Sequence, residues 1–502
     1  MVFLIDLVLR RLRDAIASFG GAKYTIGEQM RTAFVMRDRD IAEPLGIMYL
    51  SSLLKAEGHD VKLFFASENN WINQLKDYHP KIVAYSVISG SHNDYLGINN
   101  AVKNAMETFS ILGGPHTTFF PETINQENID AVCIGEGEQA MVELAANLER
   151  GSDISNIMNL WVKGDGFVNE NPVRPLLQNL DNLPFPDREL LYGKDKYLHE
   201  SKIKRFISNR GCPFNCTYCF NRAYKEIYKG HKIIRWRSVE NLISEISEVK
   251  GKYPLELVRF IDDIFILPPV AWLEEFARLY KKEINLPFVC NLQVKIVTED
   301  KIRLLKHAGC TAVYMAIEAG NDRMRNELLE RKMTKEEIIE SFDLVHKYGI
   351  SIGAENILGL PGGSFETDME TVRLNIECKV DNAISTVFQP YPKTKLGEYA
   401  VEKGYFNGDF DSLGESYFGE SQLKFPSRHE KTRIENLQKF FGLAVNHPSL
   451  LPLIKTIVRL PPNRIFNLIH RAWDSYYKRK KIFNVKFSFR DYLLAIERVL
   501  RY

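Results

Sequence analysis

From about residue 31 onward, short apolar runs alternate with stretches whose apolar positions recur at helical spacing. The runs at 32–36, 61–65, 81–87, 110–113 and 131–134 predict strands, and 45–57, 93–107 and 138–150 predict helices. Strands alternating with helices of this length imply βαβ units and a parallel sheet covered on both faces. Glycine-rich turns close several strands, at Ser89-Gly90, Gly113-Gly114-Pro115 and Gly135-Glu136-Gly137. In open α/β sheets, ligands bind at such carboxyl ends. Residues 169–190 break the rhythm with Pro172, Pro175, Pro184 and Pro186, which predicts an extended linker. A second series starts near Lys204, with strands at 205–208, 257–261, 288–292, 312–316, 351–358 and 382–389. Helices intervene at 239–250, 272–281, 298–308, 335–348 and 365–378, so that six βα units predict a barrel or partial barrel. Beyond Tyr399 the strand signal fades, and 428–502 reads as helical, apolar and basic.

The pattern divides the 502 residues into an extension (1–28), an α/β domain (29–168), a linker (169–199), a barrel (200–400) and a mostly helical region (401–502). A chain of this length exceeds one ordinary core. Hydrophobic content of 45% and charged content of 26% are those of a soluble globular protein. A net charge of +2 gives no general case for a nucleic-acid partner. The apolar start, residues 1–9, is short, broken by Asp6 and followed by its charges, so it is neither a good signal peptide nor a spanning helix. The expected location is the cytoplasm, with a membrane surface as the further option.

Three of the seven cysteines fall within eight residues, in Cys212-Pro-Phe-Asn-Cys216-Thr-Tyr-Cys219. Closely spaced thiolates on one loop suit an iron–sulfur cluster, and three ligands for four irons leave one iron open, as a catalytic centre needs. The Cys-x-x-Cys part alone would favour zinc, with a fourth ligand such as His231. The three-then-two spacing after the first barrel strand favours the cluster. Cys133, Cys290, Cys310 and Cys378 are isolated in apolar runs and are expected to be small buried hydrophobes.

The Cys-x3-Cys-x-aromatic-Cys pattern, with Tyr218 as the aromatic, resembles the signature of the radical S-adenosylmethionine (SAM) superfamily. That resemblance implies a [4Fe–4S] cluster on Cys212, Cys216 and Cys219, SAM chelated to the open iron, and reductive cleavage to a 5′-deoxyadenosyl radical. Asp262 and Asp263 stand where many members carry Gly-Gly-Glu for the SAM ammonium; solvated or capping aspartates are the plainer reading. Glu318, in Met315-Ala-Ile-Glu318-Ala-Gly320, would face the SAM ribose or amino acid moiety. Arg331 would address the SAM carboxylate, against the plainer role of an exposed helix-flanking arginine. Ile357 and Gly359, in Asn356-Ile-Leu-Gly359-Leu-Pro361, would support the adenine. Gln293-Val294-Lys295 stands where relatives often show an arginine.

Ahead of the barrel, Glu43-Pro44-Leu45-Gly46-Ile47, Gly58-His59, Gly113-Gly114-Pro115-His116-Thr117 and Ile134-Gly135-Glu136-Gly137-Glu138 resemble the cobalamin (B12)-binding module of many radical SAM proteins. The likeness spans roughly residues 30–400 and implies a flavodoxin/Rossmann-like sheet. Its cobalamin contacts would come from Pro44, Leu45, Ser86, Ser89, Gly113, Gly114, His116, Gly135, Glu136 and Gly137. The Asp-x-His-x-x-Gly motif that supplies a lower axial histidine is absent, since Asp77-Tyr-His79 lacks the glycine. The 86–91 loop would then approach that face without a histidine ligand.

The implied function is cobalamin-dependent methylation of an unactivated carbon. Radical cyclisation or rearrangement without methyl transfer is the second enzyme reading, and a non-catalytic iron–sulfur or cobalamin-binding protein is the reading from another class. The expected partners are a small-molecule or lipid-linked substrate and an electron donor such as flavodoxin or ferredoxin. The aromatic and basic run Tyr476-Tyr477-Lys478-Arg479-Lys480-Lys481 reads either as a barrel cap or as a peripheral membrane contact.

Overall fold

The computed structural model describes residues 30–40, 42–414 and 418–486. The expected lead-in, 1–28, and the end of the helical region, 487–502, lie outside the described residues. The chain forms two compact units: one runs to His199 and takes in Ile227–Lys232, and the other holds Glu200–Glu226 and the chain from Ile233 onward.

The first unit is built on β1 (Arg31–Met36), β2 (Asp60–Phe65), β3 (Ile82–Ser86), β4 (Phe109–Gly113), β5 (Ala131–Cys133), β6 (Leu160–Lys163) and β7 (Val168–Glu170). Their order is β2-β1-β3-β4-β5-β6-β7. The first five are parallel, which is the expected flavodoxin-like sheet, with its order reversing between β1 and β3. Apolar residues of both faces are buried under flanking helices: Ala33, Val35, Val83, Tyr85 and Leu112 on one, and Phe34, Ala84 and Ile111 on the other. The antiparallel edge strands β6 and β7 were not expected. They are short and joined by a tight turn, where the Gly164 N–H meets the Phe167 carbonyl at 2.8 Å, so their apolar signal is only a few residues long.

The proline-rich stretch is not wholly extended. It contains two short helices, Arg188–Tyr192 and Lys196–Glu200. Asp187 caps the first by accepting from the Leu190 N–H, and it also accepts from Ser51 Oγ at 2.6 Å on the helix Leu45–Ala56. The buried Glu43 pairs with Arg188 at 3.5 Å and accepts from the Tyr192 hydroxyl at 3.1 Å. These contacts dock the segment onto the first sheet domain.

In the second unit, β8 (Ile203–Phe206), β11 (Leu257–Phe260), β12 (Phe288–Leu292), β13 (Cys310–Glu318), β14 (Ser351–Leu358) and β15 (Asn382–Val387) are all parallel and stand in sequential order. The sheet curls into the expected six-stranded partial barrel, with helices outside. A two-stranded ribbon, β9 (Asn209–Arg210) with β10 (Arg235–Trp236), was not expected. The 19-residue helix Arg428–Asn446 runs beside the edge strand β15, where Gln438 donates to the Ser385 carbonyl at 3.0 Å. At the amino ends of the strands, Ile482 is buried against Leu257, Val289, Ala312 and Tyr314, with Phe483 and Val485 packed alongside. The end of the described C-terminal region therefore fills the foot of the barrel. Among the described residues, no helix is long and apolar enough to cross a membrane.

Candidate functional site

The three cysteines lie on the loop that leaves the carboxyl end of β8, where barrel enzymes place their chemistry. Cys216 is buried and Cys212 and Cys219 are partly so. The loop is pinned between them at Thr217, whose hydroxyl donates to the Leu328 carbonyl at 2.6 Å and whose N–H donates to Leu329. The Thr217 carbonyl in turn accepts from the Leu396 N–H at 2.9 Å. Two N–H groups address sulfur: the Asn221 amide faces Cys219 Sγ at 3.5 Å, and Arg331 Nη1 faces Cys216 Sγ at 3.5 Å. Such bonds tune the metal and orient its ligands. Burial pushes the Cys212 thiol up to about 11 and raises Cys219, so these sulfurs stay protonated unless a cation is present. Among the described residues, no three His, Cys, Asp or Glu side chains converge closely enough to hold one metal ion. His231 belongs to the first unit, edge-on to Tyr228.

Beside Cys216 stands a buried network. The Tyr218 hydroxyl donates to Glu318 Oε1 at 2.6 Å, and Arg331 donates to the Tyr218 oxygen at 3.3 Å and to the Ala316 carbonyl at 2.9 Å. Burial raises the Glu318 carboxyl and holds Tyr218 well above the usual phenol range. Burial alone would lower Arg331, but Tyr218, Glu318 and Cys216 outweigh it and keep the guanidinium firmly charged. The backbone here is strained. Glu318 has φ +65°, at a register shift between β13 and β14, and Arg331 sits between Glu330 (φ +52°) and Lys332 (φ +53°). Non-glycine residues in the left-handed region cost about 1–3 kcal/mol each and persist where the surroundings over-determine them. Arg325 supplies much of that support. Its buried guanidinium donates to the carbonyls of Ala319, Gly320 and Met333 at 2.8–3.1 Å. Glu330 is held by Arg222 at 2.9 Å and by Lys395.

The paired aspartates divide their work. Asp262 is buried, and its Oδ1 accepts from the Ser208 and Asn209 N–H groups at 2.7 and 2.6 Å, so it fixes the start of the cysteine loop. Burial outweighs those bonds and pushes its carboxyl up to about 6. Asp263 is exposed, takes a bond from Asn221 Nδ2 at 3.1 Å, and lies within electrostatic reach of Cys212 and Cys219. Gln293 closes a turn by accepting from the Lys295 N–H at 2.6 Å and donates to Met333 Sδ. Ile357 is half-buried in the apolar group that includes Tyr218 and Leu329. Gly359 has φ +66°, its N–H donates to Asp368 at 3.0 Å, and a Cβ there would crowd Ile434. That glycine is thus required by packing against the helix Arg428–Asn446.

Below this network, Tyr314 lies over Gly353 and under Arg259, whose guanidinium donates to the Phe260 carbonyl at 2.9 Å and to Asn291 at 2.6 Å. Glu355 opens toward the barrel interior with no hydrogen-bond partner among the described residues, and burial raises its carboxyl. Neither Arg259 nor Glu355 nor Arg325 belongs to a readable motif; only inward-facing strand parity could have marked the first two.

In the first unit most of the expected cobalamin residues lie at the carboxyl ends of β3, β4 and β5, while Pro44 and Leu45 follow β1. Ser86 is exposed, with Ile88 just beyond it 49% exposed, while Ser89 is half-buried and meets His116 Nδ1 at 3.1 Å. The other nitrogen of His116 meets Thr123 Oγ1 at 3.2 Å, and the ring stacks on His92 at 4.3 Å, so this imidazole is oriented by its own loop. Leu45 is buried in the core and Pro44, which precedes its helix, is half-buried. Gly113 and Glu136 are half-buried, and Gly137 precedes the helix Glu138–Arg150. Two glycines answer to the protein's own packing. A Cβ on Gly114 (φ +93°) would sit 2.7 Å from the Val87 nitrogen, and one on Gly135 (φ +76°) would strike the Tyr228 hydroxyl.

The donor set fits the implied groups. Three thiols on one barrel loop, with a buried Arg331 Nε and a buried Asp262 Oδ2 that have no partner among the described residues, mark a polar site with unused capacity. The exposed Ser86 and Ile88 at the point where the strand order reverses suit the flat, partly apolar face of a large ring.

The Radical SAM superfamily model matches residues 206–374, and the B12 binding domain model matches residues 31–145. The chain is 31% identical over 368 residues to an uncharacterized methyltransferase of Pyrococcus horikoshii, covering 71% of this chain and 78% of that one. It is 25% identical over 378 residues to the anaerobic magnesium-protoporphyrin IX monomethyl ester cyclase of Rubrivivax gelatinosus, covering 72% and 66%. In fold it is similar to the radical S-adenosylmethionine methyltransferase TsrM of Kitasatospora setae, with a TM-score of 0.64, 18% identity, and coverage of 75% and 76%. The chain belongs to the radical SAM superfamily, in the group that carries a B12-binding domain, enzymes whose cofactors are a [4Fe–4S] cluster, SAM and cobalamin.

Proposed function

We propose that this enzyme is a cobalamin-dependent radical SAM methyltransferase acting on an unactivated carbon of a small-molecule or lipid-linked substrate. The observation that carries this reading is the buried Tyr218–Glu318–Arg331 network held against Cys216 at the carboxyl end of a parallel barrel. When bound, the cluster supplies the electron that splits SAM into methionine and a 5′-deoxyadenosyl radical, and cobalamin supplies the methyl group that replaces the abstracted hydrogen.

The chain's part is binding and orientation. Cys212, Cys216 and Cys219 are the cluster ligands in this reading, on a loop that Thr217 and Asp262 hold still. Asp263, exposed and beside the thiols, accepts from the SAM ammonium through a charge-assisted bond. Arg331 presents positive charge to the SAM carboxylate, and Glu318, kept in place by Tyr218, addresses the ribose. Ile357 and the Gly359 backbone flank the adenine. Ser86, Ser89, Pro44, Leu45, Gly113, Gly114, His116 and the 135–137 turn frame the cobalamin site. A flavodoxin- or ferredoxin-type protein fits as the electron donor.

Radical cyclisation is the second reading, supported by the likeness to the anaerobic cyclase. Anaerobic reconstitution with cobalamin and SAM, followed by mass spectrometry, separates the two. Methyl transfer yields S-adenosylhomocysteine and a product heavier by one CH₂. Turnover that forms 5′-deoxyadenosine and leaves S-adenosylhomocysteine at the no-enzyme level would instead support cyclisation.

A further inference from the structure

The 14-residue helix Arg464–Tyr477 has three distinct sectors. Phe466, His470, Trp473 and Tyr477 follow one another at three- and four-residue steps and form the inward side: Phe466 meets the Phe440 ring at 4.9 Å, and His470 meets Gln438 at 3.4 Å. On the opposite side, Ile465 is 65% exposed, Leu468 64%, Ile469 36% and Tyr476 53%. At 3.6 residues per turn these fall with Ala472 into a single apolar arc about 100° wide. Arg464 and Arg471 lie along one border of that arc, and both are exposed.

An apolar helix face left exposed among the described residues is unusual on a soluble surface. Its charge setting identifies the occupant. Residues 451–481 carry eight Lys or Arg against one acid, Asp474. Some of that charge is neutralised locally, by Lys478 with Asp474 at 2.7 Å and Lys481 with Asp381 at 3.1 Å. Arg459, Arg464 and Arg471 remain exposed at and just before the helix, and Leu453 and Leu460 are exposed in the segment that leads into it. Apolar side chains bordered by arginine, with an amphipathic tyrosine at the far end, complement an anionic lipid surface: the acyl boundary takes the arc and the headgroups take the rim.

We propose that the helix Arg464–Tyr477 docks this enzyme onto an anionic lipid bilayer, with Ile465, Leu468, Ile469 and Tyr476 in the acyl boundary and Arg464 and Arg471 at the headgroups. The rim has one sign, which a second copy of the chain would oppose with like charge, so an anionic bilayer fits it better. The proposal stands apart from the methyl-transfer reading, because it is read by partition and not by turnover.

The test is co-sedimentation of the full chain with phosphatidylcholine vesicles and with vesicles that also contain phosphatidylglycerol. The expected result is binding to the anionic vesicles, weak binding to the neutral ones, and release at high salt. L468S/I469S should lose binding, and R464Q/R471Q should weaken it by roughly thirtyfold. Both variants should still form 5′-deoxyadenosine, which shows that they fold. Wild-type protein that stays in the supernatant with anionic vesicles would overturn the proposal, as would variants that sediment like wild type. A wild-type dimer that ignores vesicles and becomes monomeric in L468S/I469S would also overturn it, in favour of a second copy of the chain as the occupant.

Discussion

Asp262 and Asp263 are neighbours in sequence with opposite environments, and they should fail differently. Asp262→Ala removes the acceptor of two buried N–H groups at the start of the cysteine loop. Each buried donor left unpaired costs about 1–3 kcal/mol, so the loop loosens and iron per chain after reconstitution should fall. Asp263→Ala leaves those bonds intact. Iron content should be unchanged while SAM binding weakens by roughly tenfold, the share of one charge-assisted bond. Iron assay and SAM titration check both. Equal iron loss in the two variants, or SAM affinity unchanged in Asp263→Ala, would contradict the division of roles. The sequence pairs these residues and gives no hint of the split, because burial of one and exposure of the other follow from where the chain turns after β11. The same limit applies to Arg331. Its charge is legible, but the left-handed residues on either side that aim it at Cys216 are set by tertiary support from Arg325, far outside any motif.

At the scale of elements, strands with apolar runs between helices were legible, even the short β5, β8 and β11, whereas the short strands outside that alternation were not. β13 and β14 are long and apolar on their outer faces, so their presence followed from pattern alone. β6, β7, β9 and β10 are too short to develop a period and exist because their partners offer an edge. Glycines were legible as turn markers, but their packing was not. Gly114 was expected among the cobalamin contacts, and a Cβ there would also meet the Val87 backbone. Gly114→Ala therefore combines a steric clash with a positive φ and should lower the stability of the first unit by at least about 1 kcal/mol. Chemical denaturation measured without cobalamin checks this. A midpoint equal to wild type would mean the glycine serves only the ligand.

At the scale of the molecule, the two α/β units could be read from the alternation of strand and helix, and their family from short motifs spread along both. The C-terminal region could be read as helical and basic, but its seating could not. Ile482 and Phe483 fill the foot of the barrel, and such a long-range fit leaves no local mark on the sequence. The central claim concerns the barrel's carboxyl end, where the Cys212–Cys219 loop meets Arg331. The most direct test is quantitation of 5′-deoxyadenosine from SAM by the anaerobically reconstituted chain under a strong reductant, beside its Cys216→Ala variant. Deoxyadenosine is expected from the wild type and none above background from the variant. Equal yields from the two, or none from a wild type loaded with four irons, would contradict that claim.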